Sequence, residues 1–422
     1  MELTKYLLFC LTWSFIRAAP ECKYKSHKIT ELVCTSSEEN YILKRGLVSD
    51  NNRTSSVTLR GCRVSGVEYE AFENMASLKY IDLSQNSISE LKLGVLDDIK
   101  TVTHLNLSHN ALTTFPLGLF DQLPNLATLD LTSNSLENIE LGVFDPLQKL
   151  KYLSLSNNML RGDNINPYIF DRNVQLIYLD MSRNHLTSTP SQLLNAVKVL
   201  ETLILEKCLL NEVPLFVVKN NLKSLKTLSL ASNHISKIDD PLIFVNVDNL
   251  EHLNLADNNI AILEGSVFKT LKKLKSIILR GNKLTSLPVE LFQDMKNLAN
   301  IDLSHNSIST INVNSFHGTS VKNLNLADNK LTYLTSNFCL ELRNFGAKLT
   351  KFYFNQNPWQ CACLRDIVDE VKRLGISYNS RQYDGRHPVC VTTEEFHCNR
   401  HDRFNRVYID MYDDLVVNAQ NL

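Results

Sequence analysis

Few residues of this chain have the types and spacing that catalysis requires. His401 and Asp402 place an imidazole beside a carboxylate, but no nucleophile and no third orienting side chain accompany them. Residues 163–166 offer oxygen ligands, although their spacing does not match a calcium-binding loop. The sequence has no His-Glu-x-x-His metal motif, no Gly-x-Ser-x-Gly elbow and no Gly-rich phosphate loop. We therefore expect no enzyme activity, with no catalytic residue, no metal and no cofactor.

The main pattern in the sequence is a short phrase, apolar-x-apolar-x-x-Asn-x-apolar. It recurs thirteen times at spacings of 23 to 28 residues, and residues 81–88 are one copy. This period predicts a solenoid, in which each repeat buries its apolar face only against its neighbours. Such a fold presents a long surface rather than a deep pocket. The first apolar residues of the copies are Val57, Ile81, Leu105, Leu129, Leu153, Leu179, Leu203, Leu228, Leu253, Ile277, Ile301, Leu324 and Phe352.

Each copy predicts one short strand, and successive strands should pair in a parallel ladder. The Asn that follows should turn inward, where its amide can satisfy buried backbone groups. Cys62 and Cys208 replace it in two repeats, where a small thiol also fits. A Phe in the outer half of most repeats predicts a buried, stacked column. The Asn residues are 86, 110, 134, 158, 184, 233, 258, 282, 306, 329 and 357, and the Phe residues are 72, 120, 144, 170, 244, 268, 292 and 316.

The N-terminus has the composition of a secretory signal. Lys5 precedes an apolar stretch at residues 6–16, and the small residues Ala18 and Ala19 follow. About eleven apolar residues are too few to span a bilayer, and no later segment is long and apolar enough. The chain has 44 basic and 45 acidic residues, which gives no reason to expect nucleic acid as a partner. We expect a secreted, extracellular protein that does not span a membrane, although a truncated receptor ectodomain would look the same.

Ten cysteines are present, and Cys10 lies within the signal. In a secreted chain, cysteines at the two ends predict disulfides in terminal caps, and Cys22 and Cys34 are the pair at the front. Cys339 belongs to neither cap and not to the Asn column. It is either a buried thiol or the site of an intermolecular disulfide that gives a homodimer.

These features resemble an extracellular leucine-rich-repeat protein of the typical 24-residue class, with the pattern LxxLxLxxNxLxxL. Residues 126–139 and 274–287 match that pattern closely. Residues 357–363, Asn-Pro-Trp-Gln-Cys-Ala-Cys, resemble the start of the family's cysteine-rich C-terminal cap. The family pairs the four cap cysteines as first with third and second with fourth. The resemblance thus implies Cys361 with Cys390 and Cys363 with Cys398, whereas the front cap has two cysteines instead of the family's usual four.

The resemblance implies an α/β solenoid, a leucine-rich-repeat horseshoe. Its parallel β ladder would line the concave face, with short helical or irregular convex segments and disulfide caps at both ends. We expect a signal peptide at residues 1–19, an N-terminal cap at 20–53, about 13 repeats at 54–357, a C-terminal cap at 358–398 and a polar tail at 399–422. Apolar residues at helical spacing from Leu364 to Leu374, ended by Gly375, predict a helix that covers the last repeat.

The outward side chains of the predicted strands are the candidate contacts for a partner. Aromatic residues beside polar ones on a rigid sheet offer contact area at small entropic cost. Asp at these positions is also common in the repeat consensus, and most surface residues contribute little to binding. The candidates are Tyr80, Asp82, His104, Asp130, Tyr152, Tyr178 and Asp180.

Two Asn-x-Ser/Thr motifs predict N-glycosylation, at Asn52 and at Asn106. Asn106 should point outward from the strand ladder, where a glycan would cover part of the candidate patch. In that case the binding face would lie toward Leu203 and beyond, or on a flank.

Several functions are compatible with the sequence. A secreted recognition protein of innate immunity or cell-surface signalling, resembling Toll-type ectodomains or secreted insect repeat proteins, is the first hypothesis. A matrix or neuronal adhesion protein is the second, and a noncatalytic subunit that stabilises a secreted enzyme is the third. All three imply an extracellular protein or glycan ligand.

Overall fold

The computed structural model describes residues 19–25, 28–35, 40–220, 222–382, 389–392 and 396–420. The predicted signal peptide lies outside them except for Ala19. The chain forms two compact units, Met1–Ser135 and Leu136–Leu422, which are described separately.

The first unit is a parallel strand ladder that begins with an antiparallel hairpin. The hairpin joins β1 to β2, and β2 continues in parallel into β4, β6, β7 and β8, while β3 and β5 form a separate parallel pair. The strands are β1 (Glu21–Lys25), β2 (Lys28–Thr35), β3 (Tyr41–Leu43), β4 (Ser56–Thr58), β5 (Val64–Val67), β6 (Tyr80–Asp82), β7 (His104–Asn106) and β8 (Thr128–Asp130).

The second unit continues the repeat pattern. Its ladder has the order β9-β10-β11-β12-β14-β16-β17-β18-β19, and β13 pairs with β15 in a second small sheet. The strands are β9 (Tyr152–Ser154), β10 (Tyr178–Asp180), β11 (Thr202–Ile204), β12 (Thr227–Ser229), β13 (Lys237–Ile238), β14 (His252–Asn254), β15 (Ile262–Leu263), β16 (Ser276–Ile278), β17 (Asn300–Asp302), β18 (Asn323–Asn325) and β19 (Lys351–Tyr353).

Helices are short and few in the described part of the second unit. The α-helices are α1 (Leu215–Val218), α2 (Phe338–Asn344), α3 (Cys361–Arg373) and α4 (Asn405–Gln420). The 3₁₀ helices are Gly162–Asn164, Val245–Val247, Val313–Phe316, Ser380–Gln382 and Asp402–Phe404.

The predicted strands are confirmed, because each of the thirteen apolar marker residues is the central residue of a ladder strand. All thirteen central residues are buried, with at most 2% of their surface exposed. The two flanking residues of each strand lie on the other side of the ladder. We call the surface formed by these flanking side chains within one unit the strand face.

The Asn column makes the backbone contacts predicted for it. In one repeat, Nδ2 of Asn282 donates to the carbonyl oxygens of Leu255 (2.9 Å) and Leu279 (3.0 Å). Its Oδ1 accepts a hydrogen bond from the N–H of Ile260 at 2.9 Å. Each such amide joins two successive repeats through backbone groups that no water reaches.

The two cysteines of this column use the same carbonyl positions. Sγ of Cys208 contacts the carbonyl oxygens of Met181 (3.4 Å) and Glu206 (3.5 Å), and Sγ of Cys62 contacts that of Cys34 (3.0 Å). Both thiols are buried and free of disulfides. A weak donor therefore replaces the amide in these repeats.

The Phe column is buried as predicted, with at most 1% of any ring exposed. In the second unit, Phe244 and Phe268 stack with ring centroids 5.9 Å apart, and Phe268 and Phe292 stack at 6.2 Å. Phe216 of α1, which was not among the predicted column residues, is also completely buried. These rings form the outer part of the core.

All three predicted disulfides are present: Cys22–Cys34, Cys361–Cys390 and Cys363–Cys398. The predicted cap helix is α3, which buries Leu364, Ile367 and Val371. The buried Trp359 precedes it and donates from Nε1 to the carbonyl oxygen of Phe354 at 2.7 Å. The end of the repeat stack is covered by apolar side chains, as a solenoid requires.

The segment after Cys398, which we predicted only as a polar tail, contains the helix α4. Tyr408 and Tyr412, one helical turn apart, are buried against Val391 of the cap. Nζ of Lys330 lies 2.9 Å from a carboxylate oxygen of Asp413. These contacts attach α4 to the last repeats of the same unit.

Candidate partner-binding strand face

On the strand face of the first unit, Tyr80 lies beside His104 in the next strand. Their ring centroids are 6.3 Å apart, and Tyr80 has 37% of its surface exposed. Nδ1 of His104 lies 2.8 Å from Oγ1 of Thr103, which fixes the imidazole orientation. Partial burial raises the pKa of Tyr80, with smaller contributions from Asp82 and Asp130. The phenol is therefore neutral at physiological pH and can act as both a donor and an acceptor.

On the strand face of the second unit, Tyr152 and Tyr178 occupy the same position in adjacent strands. Their ring centroids are 6.2 Å apart with a tilted geometry. Tyr152 is 47% exposed, and Tyr178 is half-buried. The predicted Tyr and His candidates thus form one adjacent ring pair within each unit. Exposed rings held on rigid strands are suitable anchors for a protein or glycan surface.

The three candidate aspartates each have a structural role. One carboxylate oxygen of Asp82, Asp130 and Asp180 accepts a hydrogen bond from the backbone N–H two residues later, at 2.9 Å in each case. This turn ends the strand, and Asn106 makes the same contact with the N–H of Ser108. Asp82 is buried, with 7% of its surface exposed, which leaves little of its side chain for a partner.

The predicted glycan acceptors lie in different places of the first unit. Asn106 lies between Asp82 and Asp130 in the ladder, as expected for an outward residue. Asn52 precedes β4, and its Oδ1 lies 3.5 Å from the N–H of Ala76. Glycosylation of Asn106 remains a prediction, and a glycan there would stand beside the Tyr80–His104 pair.

A groove on the strand face of the second unit was not among the predicted sites. It has a volume of about 240 Å³ and is lined by residues of β16 to β19, including Ile278, Asp302, Asn323 and Tyr353. An adjoining groove of about 570 Å³ extends from Tyr353 to residues 378–381. Ile278 was the available sequence signal, because most repeats have a polar residue at its position.

The described residues contain no group of three His, Cys, Asp or Glu side chains that could hold a metal ion. Among the same residues, no helix has the length and apolar character needed to cross a membrane. Cys339 is buried, with 1% of its surface exposed, and carries a free thiol. This burial favours the buried-thiol interpretation of Cys339 over the intermolecular disulfide.

The column thiols should be unreactive in the folded protein. Burial raises the pKa of Cys62 from 9.0 to about 11, with a smaller contribution from Asp82, and raises that of Cys208 to about 12. Because the thiolate is the reactive species, we expect almost no modification of either thiol at pH 8 without denaturant. In denaturant, both thiols should become exposed and react. The measurement is the extent of modification of each cysteine by a thiol reagent, determined by mass spectrometry.

The same shifts have a defined effect on stability. The folded state holds the protons of these two thiols more tightly than the unfolded state does. The contribution of the thiols to the free energy of unfolding is therefore fully present below pH 9 and is lost as pH rises toward 12. The free energy of unfolding should therefore fall over that range, more in the parent protein than in a Cys208→Ala variant. Equal losses in both proteins would contradict the burial of this thiol as the cause.

Comparison with known proteins supports the repeat assignment. The family model described as "Leucine rich repeat" matches residues 52–112, 100–160, 223–284 and 272–331. No curated protein matches the chain.

Several solved structures share the fold. Toll in the Drosophila Toll–Spätzle complex has a TM-score of 0.63 at 22% identity, covering 86% of this chain and 49% of that one. A chain of the LRIM1/APL1C complex has a TM-score of 0.56 at 20% identity, covering 91% and 67% respectively. A chain of the complex of latrophilin 3, Unc5D and FLRT2 has a TM-score of 0.52 at 22% identity, covering 78% and 90%.

Identities this low establish only a shared fold, whereas the family model covers more than half of the chain. The residues that match the family model include β6, which carries Tyr80, and β9, which carries Tyr152. The thirteen buried strand centres, the Asn column and the terminal disulfides agree with that match. The chain belongs to the leucine-rich repeat family.

Proposed function

We propose that this chain is a secreted, noncatalytic recognition protein that binds an extracellular protein or glycan through its strand face. The observation that carries the proposal is the ring pair of the exposed Tyr152 and the half-buried Tyr178 on the strand face. The neighbouring Asp130 and Asp180 are engaged in strand-ending turns. The exposed aromatic rings are the side chains that gain most from being covered by a partner.

An extracellular location is consistent with three disulfides, because such bonds persist mainly in oxidising compartments. The predicted signal at residues 1–19 and the acceptors Asn52 and Asn106 fit the same route. We therefore include secretion and N-glycosylation in the proposal.

We place the process in innate immunity or cell-surface signalling. Support comes from the similar fold found in the Toll–Spätzle complex, which is described as a molecular hub in Drosophila development and innate immunity. An adhesion role is the second candidate, supported by the similar fold found in the complex of latrophilin 3, Unc5D and FLRT2.

Affinity capture with variants of the ring pair tests the proposal. Tagged protein with Tyr152→Ala and Tyr178→Ala should be secreted normally but should retain its partner at least tenfold less well than the parent. Truncating central aromatic anchors commonly costs about 2 kcal/mol or more in binding. The measurement is the amount of co-eluting partner from the native extracellular fluid, identified by mass spectrometry.

Tyr168→Ala is the matched control, because Tyr168 is 53% exposed but lies in the outer half of its repeat, away from the strands. This variant should capture the partner as well as the parent does. If Tyr168→Ala loses the partner and the double variant keeps it, the strand face is not the binding surface. Capture dominated by a secreted hydrolase would favour the enzyme-stabilising role instead.

A further inference from the structure

A second candidate site lies in the second unit, away from the strand face. A cavity of about 610 Å³ is lined by Cys339 and Arg343 of α2, by the loop at residues 346–349, and by Leu374 and Ile376 after α3. It therefore lies where the last repeat meets the C-terminal cap. Its volume is in the range of pockets that hold small molecules, about 300 to 1,000 Å³.

Several uncharged side chains form an apolar part of the cavity wall. Cys339, Ala347 and Ile376 are buried, with 1%, 3% and 7% of their surfaces exposed. Leu349 and Leu374 are half-buried and complete the walls. Burial, with a smaller contribution from Glu370, raises the pKa of the Cys339 thiol, so the thiol stays protonated at physiological pH. A hydrocarbon chain would meet no charged group on this surface.

The mouth of the cavity is positively charged. Arg343 and Lys348 line it and are both exposed, and neither forms an ion pair with a described residue. Glu370 forms no ion pair with either cation among the described residues, and its carboxylate accepts a hydrogen bond from the N–H of Leu340 at 3.0 Å. Elsewhere in the unit, a lysine such as Lys275 has a carboxylate partner at 2.6 Å. Two cations that have no carboxylate partner among the described residues thus lie beside the apolar part of the cavity wall.

We infer that this cavity binds a single-chain anionic amphiphile of the fatty-acid class. The hydrocarbon chain would cover Ala347, Ile376 and the half-buried leucines, and the carboxylate would lie between Arg343 and Lys348. A guanidinium and an ammonium both donate charge-assisted hydrogen bonds to a carboxylate. The apolar wall and the two cations are both needed, because the hydrocarbon chain of the ligand lies against the wall and its carboxylate pairs with the cations.

Calorimetric titration of the full-length secreted protein with dodecanoate tests the inference. Dodecanoate should bind in a saturable, one-to-one manner, and acetate, which has the anion without the chain, should not. The double variant R343Q/K348Q should bind dodecanoate at least tenfold more weakly. The control K351Q/K372Q, which removes two exposed lysines outside the cavity, should bind as the parent does.

A second readout does not depend on any variant. Bound dodecanoate should slow backbone amide hydrogen exchange at residues 346–349, which line the cavity, at least threefold while leaving the strands of the first unit unchanged, as resolved by peptide mass spectrometry. Equal binding by R343Q/K348Q and by the parent would overturn the inference. The absence of saturable binding, or unchanged hydrogen exchange at residues 346–349, would also overturn it. Strand-face capture of a macromolecular partner is a separate measurement and would be unaffected by either outcome.

Discussion

Replacing Leu279 with Asp should abolish secretion of the folded protein. Leu279 is completely buried, and its carbonyl oxygen accepts from the side-chain amides of Asn282 and Asn306. A carboxylate at this position would have no partner in the apolar core. An unpaired buried charge costs several kcal/mol, a large share of the roughly 5 to 15 kcal/mol that stabilises a typical domain.

The measurement is the amount of variant in the culture medium and in the cell extract. Arg280→Asp is the matched control, because it introduces the same carboxylate at the adjacent, exposed position. That variant should be secreted at the parent level. Normal secretion of Leu279→Asp would mean that this residue does not face the core, and would contradict the repeat register.

Removing one amide of the Asn column should be the second most damaging change. Asn282→Ala deletes four hydrogen bonds to the backbone, each worth about 0.5 to 1.5 kcal/mol, and removes the acceptor of the buried Ile260 N–H. An unsatisfied buried group costs about 1 to 3 kcal/mol. We therefore expect a loss of about 3 kcal/mol or more in the free energy of unfolding, measured by urea denaturation.

Asn282→Asp separates hydrogen bonding from size. The carboxylate keeps the shape of the amide but cannot donate to the three carbonyl oxygens of Leu255, Leu279 and Arg280, so this variant should be at least as unstable as Asn282→Ala. The control is Asn297→Ala, because Asn297 is exposed and donates to a single carbonyl oxygen, that of Lys272. A loss at Asn297 equal to that at Asn282 would show that the buried amide has no special role.

The repeat architecture could be predicted because each repeat has the same local pattern. Strand centres, the Asn column and the Phe column are all set by spacing within one repeat and by burial against the next. The substitution of Cys208 for Asn was also interpretable, since a thiol is small and can contact the same carbonyl oxygens. The cap disulfides at the C-terminus came from the family resemblance instead.

Features that depend on contacts between distant segments could not be predicted. The helix α4 is stabilised by Tyr408 and Tyr412 against Val391, and its sequence has several aspartates that hide the helical spacing. Asp82 is buried whereas Asp130 and Asp180, which make the same turn contact, are half-buried, and no local pattern distinguishes the three. The Cys339 cavity is formed by α2 and by residues that follow α3, which no local pattern connects.

The candidate site was predictable in position but not in detail. Alternation along each strand identified Tyr152 and Tyr178 as outward residues, and equal register placed them in one row. Their ring separation and unequal exposure depend on the twist between β9 and β10, which the sequence does not specify.

Hydroxyl-radical footprinting of the protein with its captured partner tests the central claim most directly. Mass spectrometry would measure the oxidation rates of Tyr152, Tyr178 and Tyr168 in the free protein and in the complex. Binding through the strand face predicts that the partner slows oxidation of Tyr152 and Tyr178 several-fold and leaves Tyr168 unchanged. Protection of Tyr168 with unchanged rates at both strand-face tyrosines would contradict the claim.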